Sequence, residues 1–224
     1  MVKSKGWDWK LVKEEKDCIW KNPSIESYYL LNRWKKQGKT NFLDLGCGLG
    51  RHSILFAKDG FDVYSFDISK EAIERTKKWA ESENLNLNYK IGDMLNLPYK
   101  DESIEAILCR NVISHTDTEG IKKIVQEIKR VLKGNGECYL TLGSKSSWRF
   151  TGTNWPMVDE NTKLKMEKGP EYKIPHFYAD YNLIKELFRE FKIEFINHIE
   201  DFYEEKEKVY SSYHYHILIR KYKN

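Results

Sequence analysis

The stretch Asn41-Phe42-Leu43-Asp44-Leu45-Gly46-Cys47-Gly48-Leu49-Gly50-Arg51 decides the fold. Its first five residues are mostly apolar and predict a buried strand, and three glycines at alternate positions follow. Glycine allows positive φ and has no Cβ, so the backbone of such a turn can come close to a ligand. The apolar run from Ser53 to Ala57 predicts a helix directly afterwards. The stretch therefore predicts a strand, a ligand-binding loop and a helix start, as in a nucleotide cradle.

The spacing of the glycines separates two kinds of cradle. The dinucleotide fingerprint reads G-x-G-x-x-G and places a pyrophosphate at a helix N-terminus, whereas this loop reads G-x-G-x-G, with Asp44 two residues before the first glycine. A carboxylate there repels a pyrophosphate but suits a ligand with a cationic amino group, such as S-adenosylmethionine. The loop resembles the first motif of the class I S-adenosylmethionine-dependent methyltransferases. A glycine-rich turn that only connects strand and helix is the alternative interpretation.

The resemblance covers about residues 40 to 145 and implies an α/β fold. Strands that alternate with helices favour a parallel sheet with right-handed crossovers. The family implies a doubly wound, mostly parallel seven-stranded sheet that ends in an antiparallel strand pair. We expect one methyltransferase domain over residues 1–224, with an N-terminal helical lid (1–40), a cofactor-binding core (41–142), a substrate cap (143–180), and a C-terminal helix and strand pair (181–224).

Two further carboxylates follow predicted strands. A second strand from Phe61 ends at Asp67, and a carboxylate at this tip can accept both hydroxyls of a ribose. A third short strand leads into Gly92-Asp93-Met94. The resemblance implies that Asp93 lies near the adenine amine and that Met94 packs on the ring. A turn or N-cap role for Asp93 is an equal alternative.

The fourth predicted strand begins at Ile104 and is followed by Arg110, Asn111 and His115. The resemblance implies that this strand ends beneath the methyl group of the cofactor and that the loop after it faces both ligands. The predicted product is S-adenosylhomocysteine, and the predicted cofactor-binding residues are Asp44, Gly46, Cys47, Gly48, Gly50, Arg51, Asp67, Ile68, Asp93, Met94, Arg110 and Asn111. A helix from Glu119 to Leu132, a turn at Gly134 to Gly136 and a strand from Glu137 to Leu142 complete the alternation.

Composition limits the classes of function. The 224 residues carry a net charge of +4, and because the basic residues are interspersed with acidic ones, nucleic acid is an unlikely partner. Cys18, Cys47, Cys109 and Cys138 form no C-x-x-C pair, which argues against structural zinc and a disulfide framework. Cys47 and Cys109 are expected to line the cofactor cleft as small apolar residues. No apolar stretch predicts a membrane span and the start shows no cleavable leader, so we expect a cytoplasmic protein; the oligomeric state is open.

The segment before the first core strand has two interpretations. An amphipathic stretch from Ser24 to Gln37 predicts a helix that packs on the sheet. The alternative is a lid whose aromatic residues, Trp20 and Tyr28 among them, close over the sulfonium of the cofactor, since a π face attracts positive charge.

The long excursion from Gly143 to about Tyr178 predicts a substrate cap, because it is rich in aromatic residues and disordered segments are not. The predicted substrate residues are Trp148, Trp155, His176 and Tyr178. An alcohol, phenol or ammonium acceptor must lose a proton, and His115 and His176 are the candidate catalytic bases. A hydrogen-bonded or surface histidine is the alternative for each.

The tail predicts two antiparallel strands, Lys192 to His198 and Tyr213 to Arg220, joined by an acidic stretch from Glu200 to Glu207. His214 and His216 share one face of the second strand. Two histidines without a third ligand nearby are more often packing or surface residues, so we predict no metal.

These patterns predict an enzyme that moves a methyl group from S-adenosylmethionine to an O, N or S atom of a small molecule. The chain lacks the N-P-P-Y motif after strand four, which is typical of amino-methyltransferases that act on flipped bases, and the Pro-Cys pair of cytosine C5 enzymes. An RNA or protein methyltransferase and a non-catalytic module that binds S-adenosylmethionine are the alternatives. Nicotinamide-dependent oxidoreduction is disfavoured by Asp44 and the glycine spacing.

Overall fold

A computed structural model describes residues 4–13, 18–205 and 207–223. The description does not extend to residues 1–3 and 14–17 of the predicted lid, residue 206 of the predicted acidic stretch or residue 224. It also leaves out the side chains of Cys18, Tyr203 and Glu205. In chain order the elements are α1 Ile25–Lys36, β1 Asn41–Leu45, α2 Arg51–Lys58, β2 Asp62–Asp67, α3 Lys70–Ser82, β3 Asn88–Ile91, β4 Ile104–Cys109, α4 Thr118–Val131, β5 Leu132–Ser144, α5 Trp148–Thr151, β6 Met157–Asp159, β7 Thr162–Leu164, β8 Pro175–Ala179, α6 Tyr181–Leu187, β9 Phe191–Glu205 and β10 Lys208–Lys221. Short 3₁₀ turns occupy Trp9–Leu11 and Cys18–Trp20. No helix within the described ranges has both the length and the apolar character that crossing a membrane requires.

Seven of these strands form the predicted sheet. Five run parallel in the order β3-β2-β1-β4-β5, β10 lies antiparallel to β5, and β9 lies antiparallel to β10. The mostly parallel sheet with a C-terminal antiparallel pair is therefore confirmed. The short strands β6, β7 and β8 bring the total to ten, because the predicted cap adds its own strands to the sheet.

The position of β8 follows from the length of β5. The pairing of β4 with β5 ends at Cys109 and Leu140, whereas β5 continues to Ser144. His214 of β10 and Tyr178 of β8 both pair with Gly143, so they take opposite edges of β5. The strand β8 therefore lies beyond the carboxyl end of β4, where the candidate site is expected.

Helices cover both faces of the sheet. Alternate residues of β4 point to opposite faces, so Ala106 and Leu108 belong to one apolar core, while Ile107 and Cys109 belong to the other. The first core includes side chains of α1, α2 and α3, and the second includes side chains of α4 and α6. This arrangement confirms the doubly wound fold.

Helix α1 packs on the sheet and does not act as a lid. Leu30 and Trp34 are fully buried, and the Trp34 ring lies 5.9 Å from Phe42 and 5.6 Å from Phe56 between ring centroids. Tyr28 lies on the outer side of the helix and is 49% exposed. The packed-helix interpretation of Ser24 to Gln37 is the one that the structure supports.

A buried carboxylate on β5 joins helix α1 and strand β10 to the centre of the sheet. Glu137 of β5 is fully buried and accepts hydrogen bonds from the Arg33 guanidinium at 2.8 Å, from Trp34 Nε1 at 2.9 Å and from Arg220 at 2.8 Å. Arg33 and Trp34 belong to α1, whereas Arg220 belongs to β10. One carboxylate therefore joins three elements that are far apart in sequence.

Two predicted boundaries are wrong. The glycines Gly134 and Gly136 do not form a turn before the strand, because β5 begins at Leu132 and accommodates them as an irregularity in its pairing with β4, with Asn135 at φ 63°. The predicted acidic connection is also mostly strand, since β9 reaches Glu205 and β10 starts at Lys208. Continuous cross-strand pairing extends both strands past the boundaries that the charge pattern indicated.

Candidate active site

The glycine loop lies at the carboxyl end of β1. Gly46 and Cys47 donate their backbone N–H groups to the carbonyl oxygen of Phe66 on β2, at 2.8 and 3.0 Å. Gly48 has φ 54°, and a Cβ on it would lie 2.7 Å from the Trp9 ring. Glycine is required at this position because both the backbone conformation and the close approach exclude a side chain.

Asp67 fastens this loop to the end of β2. Its Oδ2 accepts a hydrogen bond from the backbone of Gly48 at 2.9 Å, and its Oδ1 accepts one from the backbone of Ser69 at 2.8 Å. Burial raises the pKa of the Asp67 carboxyl above its ordinary value, although these backbone N–H groups oppose the shift. Each oxygen keeps one lone pair, which leaves Asp67 able to accept hydroxyl groups.

Asp44 lies beneath the loop instead of in the cavity. Its side chain is buried, and its Oδ2 accepts a hydrogen bond from Ser53 Oγ at 2.7 Å. Ser65 donates in turn to the Ser53 hydroxyl at 2.9 Å. The structure therefore uses Asp44 to hold α2 against β1, and contact with the amino group of a ligand would require the bond from Ser53 to be replaced.

The loop after β3 holds Asp93 in a turn at the wall of the cavity. Its Oδ1 accepts a hydrogen bond from the backbone of Leu95 at 3.0 Å, which is a turn role. Asp93 and Met94 both line the cavity as well. The turn role is therefore observed, and the contact of Asp93 with the adenine stays a prediction for a residue that lines the cavity.

The loop after β4 is held by the neighbouring strand β5. The backbone N–H of Asn111, which has φ 57°, donates to Thr141 Oγ1 at 2.8 Å, and the Thr141 hydroxyl donates to Asn111 Oδ1 at 2.9 Å. Arg110 lies 3.6 Å from the carboxylate of Glu26 on α1. A hydrogen bond with His216, against the opposing effect of burial, lowers the pKa of Glu26 to about 2, so Glu26 stays charged beside Arg110.

These elements surround one cavity of about 240 Å³. The predicted cofactor residues that line it are Gly46, Cys47, Gly48, Arg51, Asp67, Ile68, Asp93, Met94, Arg110 and Asn111. The prediction is not supported for Asp44, as described above, or for Gly50, whose Cα faces Thr76 of α3. The prediction that Cys109 lines the cleft is wrong, because its fully buried side chain belongs to the core beneath α4.

Three tryptophans cover the cavity from the N-terminal side. Trp7, Trp9 and Trp20, called the N-terminal cover below, all line it, and their ring centroids lie 4.8 to 6.0 Å apart. Arg75 of α3 donates to the carbonyl oxygens of Trp9 and Val12 at 3.1 and 3.2 Å and fixes this segment. Trp20 therefore lies where the lid interpretation requires it, and its closing over the cofactor stays a prediction, whereas Tyr28 is absent from the cavity lining.

The opposite side of the cavity holds two histidines around one carboxylate. His115 Nε2 lies 3.4 Å from Glu171 Oε1, and His176 Nε2 lies 3.9 Å from the same atom. Lys165 Nζ donates to the other oxygen, Glu171 Oε2. Although burial opposes it, the hydrogen bond from His115 holds the pKa of Glu171 well below its usual range. Burial, with repulsion from His115 as the next cause, lowers the pKa of His176 to about 3, so its imidazole is neutral at pH 7.

The predicted substrate residues divide into two groups. His176 and Tyr178 line the cavity, because β8 lies over the end of β4. Trp148 and Trp155 are absent from the cavity lining, and Trp148 instead packs on Tyr210 of β10, with ring centroids 4.5 Å apart. Sequence reasoning missed Glu171, which is one of several acidic residues in residues 143–180 and has no pattern that distinguishes it.

The histidines of β10 behave as packing residues. His216 Nδ1 lies 2.5 Å from the Tyr139 hydroxyl and 3.3 Å from Glu26 Oε1. His214 lines the cavity and lies 3.8 Å from Asp201. Within the described residues, the potential metal ligands that do converge are His115, Glu171 and His176.

Comparison with known proteins agrees with this geometry. Residues 42–136 match the family model described as "Methyltransferase domain". The ubiquinone biosynthesis O-methyltransferase of Coxiella burnetii is 28% identical over 120 residues, which are 54% of this chain and 50% of that protein. The chain aligns with only 32% to 50% of the length of the first curated relatives it matches.

Solved structures show the same fold. A methyltransferase of Methanosarcina mazei superimposes with a TM-score of 0.67 at 21% identity, covering 83% of this chain and 94% of that one. The 1,6-didemethyltoxoflavin-N1-methyltransferase of Burkholderia thailandensis, solved with its substrate and S-adenosylhomocysteine, gives a TM-score of 0.65 at 14% identity, covering 93% and 83%. At these identities the likeness concerns the fold.

Proposed function

We propose that this chain is a class I S-adenosylmethionine-dependent methyltransferase and that it transfers a methyl group from S-adenosylmethionine to an O, N or S atom of a small molecule. The match of residues 42–136 to the methyltransferase domain model and the fold shared with solved methyltransferases support the proposal. The observation that carries the proposal is a cavity at the carboxyl ends of β1, β2 and β4, which joins the glycine loop to the cluster of His115, Glu171 and His176. In open α/β sheets ligands bind at this end of the strands.

The residues on the side of the glycine loop fit S-adenosylmethionine. We assign Asp67, which can accept further hydrogen bonds, to the ribose hydroxyls, and Asp93 and Met94, which line the same cavity, to the adenine. Gly46 and Gly48 line the cavity without side chains, and we assign this loop to the amino acid part of the cofactor. The proposed product of the same site is S-adenosylhomocysteine.

The remaining space suits a small acceptor. The N-terminal cover on one side and β8 on the other enclose the acceptor, and exclusion of water favours attack on the methyl carbon by the acceptor alone. The main task of the protein is to align the acceptor atom with the methyl–sulfur bond. An RNA or protein substrate would have to displace the cover, so we propose a small molecule as the partner and not a nucleic acid.

Of the two predicted bases, we propose His115. His176, with its pKa lowered to about 3, binds a proton too weakly to take one from an alcohol or phenol. His115 instead faces the ionised Glu171, which stabilises the imidazolium that forms when the proton is transferred.

Titration calorimetry with S-adenosylmethionine, S-adenosylhomocysteine and NADH tests the cofactor. We expect the first two to bind and NADH not to bind. Asp67→Ala should abolish binding because it removes the ribose contact, whereas Asp62→Ala, at the exposed start of the same strand, serves as the matched control and should leave the affinity unchanged. Binding of NADH alone, or equal affinity in both variants, would contradict the proposal.

Production of S-adenosylhomocysteine with a panel of small phenols, thiols and amines tests the transfer. A chain that binds the cofactor but turns over with none of these classes, and instead methylates RNA or protein, would overturn the small-molecule assignment.

A further inference from the structure

The side chains of His115, Glu171 and His176 have the composition and spacing of a metal-binding site. One ring nitrogen of each histidine and a carboxylate oxygen of Glu171 lie within 4.8 Å of one another. Ligands about 2.0 to 2.2 Å from a zinc ion stand about 3.3 to 3.6 Å apart when tetrahedral. The 3.4 and 3.9 Å distances to Glu171 Oε1 are close to that spacing, so small side-chain rotations complete it.

A second observation points to a missing ligand. The Nε2 atom of His176 is buried and has no hydrogen-bond partner among the described residues. A buried polar atom without a partner is costly, and native proteins rarely keep one without a reason. A cation between the two imidazoles would supply the partner.

The second oxygen of Glu171 already accepts a hydrogen bond, so only one oxygen of the carboxylate is available to a metal ion. Lys165 Nζ donates to Oε2, so Oε1 remains for one monodentate bond. An outer hydrogen bond of this kind orients a ligating carboxylate.

The backbone holds the three side chains together before any ion arrives. Phe177 N–H, next to His176, donates to the carbonyl oxygen of Ser114, next to His115, at 2.8 Å. The loop that carries Glu171 is closed by the bond from Lys173 N–H to the Lys165 carbonyl oxygen, also at 2.8 Å. The site is therefore largely preorganised.

We propose that His115, Glu171 and His176 bind one divalent transition metal ion of the zinc class. Two imidazoles and one carboxylate are the ligands of catalytic zinc sites, which keep a further position open. All three residues line the cavity, so the open position faces the proposed acceptor space.

The role of the ion in methyl transfer rests on the proposed function. A hydroxyl or thiol acceptor bound at the open position loses its proton to solvent more readily. Its oxygen or sulfur then bonds to the methyl carbon, while the methyl–sulfur bond breaks and leaves its electron pair on the sulfur of S-adenosylhomocysteine. With the ion bound, His115 is a ligand, and the ion takes over the activation that we assigned above to His115 as a base.

Calorimetric titration of the chelator-treated chain with Zn²⁺, without a histidine tag, tests the site. We expect one ion per chain and, with Co²⁺ as the probe, the visible absorption of a tetrahedral site. Glu171→Gln and His176→Ala should each weaken binding by at least about 100-fold, the upper end of what loss of even an outer partner costs. His214→Ala is the matched control, since His214 lines the same cavity outside the cluster, and should keep the affinity.

Absence of stoichiometric Zn²⁺ binding by the unmodified chain, or unchanged affinity in both Glu171→Gln and His176→Ala, would overturn the metal site. Binding of S-adenosylmethionine by the same samples serves as the folding control and separates the two proposals. Zinc binding without cofactor binding would refute the proposed function alone, and cofactor binding without zinc binding would refute the metal site alone.

Discussion

Replacement of Glu137 by Gln should destabilise the protein strongly. Burial is the largest single effect on this carboxyl and opposes its ionisation, but the hydrogen bonds from Arg33, Gln37 and Trp34 and the charge of Arg33 together outweigh it and lower the pKa from 4.5 to about 2. One pH unit corresponds to about 1.36 kcal/mol, so the ionised group stabilises the fold by about 3.4 kcal/mol at pH 7. Loss of one partner of a buried ion pair costs a similar amount, about 3 to 5 kcal/mol.

The pH dependence follows from the direction of the shift. The folded pKa is depressed, so the contribution is fully present above pH 4.5 and is lost as the pH falls through about 2. From these two pKa values, the difference between the original chain and Glu137→Gln should shrink from about 3.4 kcal/mol at pH 7 to about 1.4 kcal/mol at pH 3. Urea titration at both pH values measures the free energy of unfolding.

Glu194→Gln is the matched control for this prediction. Glu194 lies 3.9 Å from Arg33 and 3.2 Å from Arg220 but is partly exposed, so its loss should cost no more than about 1 kcal/mol. A loss below about 1 kcal/mol for Glu137→Gln at pH 7, or a loss that does not change with pH, would refute the reasoning.

Three further predictions concern the cavity and the carboxylate beneath its glycine loop. Gly48→Ala should weaken S-adenosylmethionine binding about tenfold in calorimetry, because a left-handed alanine costs about 1 to 2 kcal/mol and its Cβ meets Trp9; unchanged affinity would count against this geometry. Burial raises the pKa of Asp44 to about 6, so its charged form costs about 3 kcal/mol at pH 7. Asp44→Asn should therefore raise the free energy of unfolding at pH 7, and the gain in urea titrations should fade as the pH falls from about 6 to 3.8. Trp20→Ala should weaken cofactor binding while Tyr28→Ala leaves it unchanged, and equal effects in calorimetry would show that Trp20 does not cover the ligand.

The cofactor side was predictable because its signals are local. Gly46 and Gly48 lie in the loop after β1, and Asp67 is the last residue of β2. A parallel sheet brings the ends of such neighbouring strands to one edge. Burial of Asp44 was not predictable, since the sequence does not show that the Ser53 hydroxyl faces it across the start of α2.

The acceptor side of the cavity could not be predicted in the same way, because it is built from contacts between distant segments of the chain. His115 and His176 were found as residue types, but their convergence on Glu171 requires β8 to lie beyond the end of β4. That placement results from the extra length of β5, which hydrophobic periodicity does not reveal. Trp148 was misplaced for a related reason, because the length of the β9–β10 hairpin provides Tyr210 as its packing partner.

The long strand β9 also affects how the protein behaves in concentrated solution. Within the described chain β9 pairs with β10 alone, so its other side presents unpaired backbone groups at the edge of the sheet. Such an edge can recruit a strand from another molecule, and charged side chains oppose this recruitment. Glu200, Asp201 and Glu204 lie along it beside the exposed ring of Phe202. The charged side chains of the acidic stretch therefore oppose aggregation of the protein through the edge of β9.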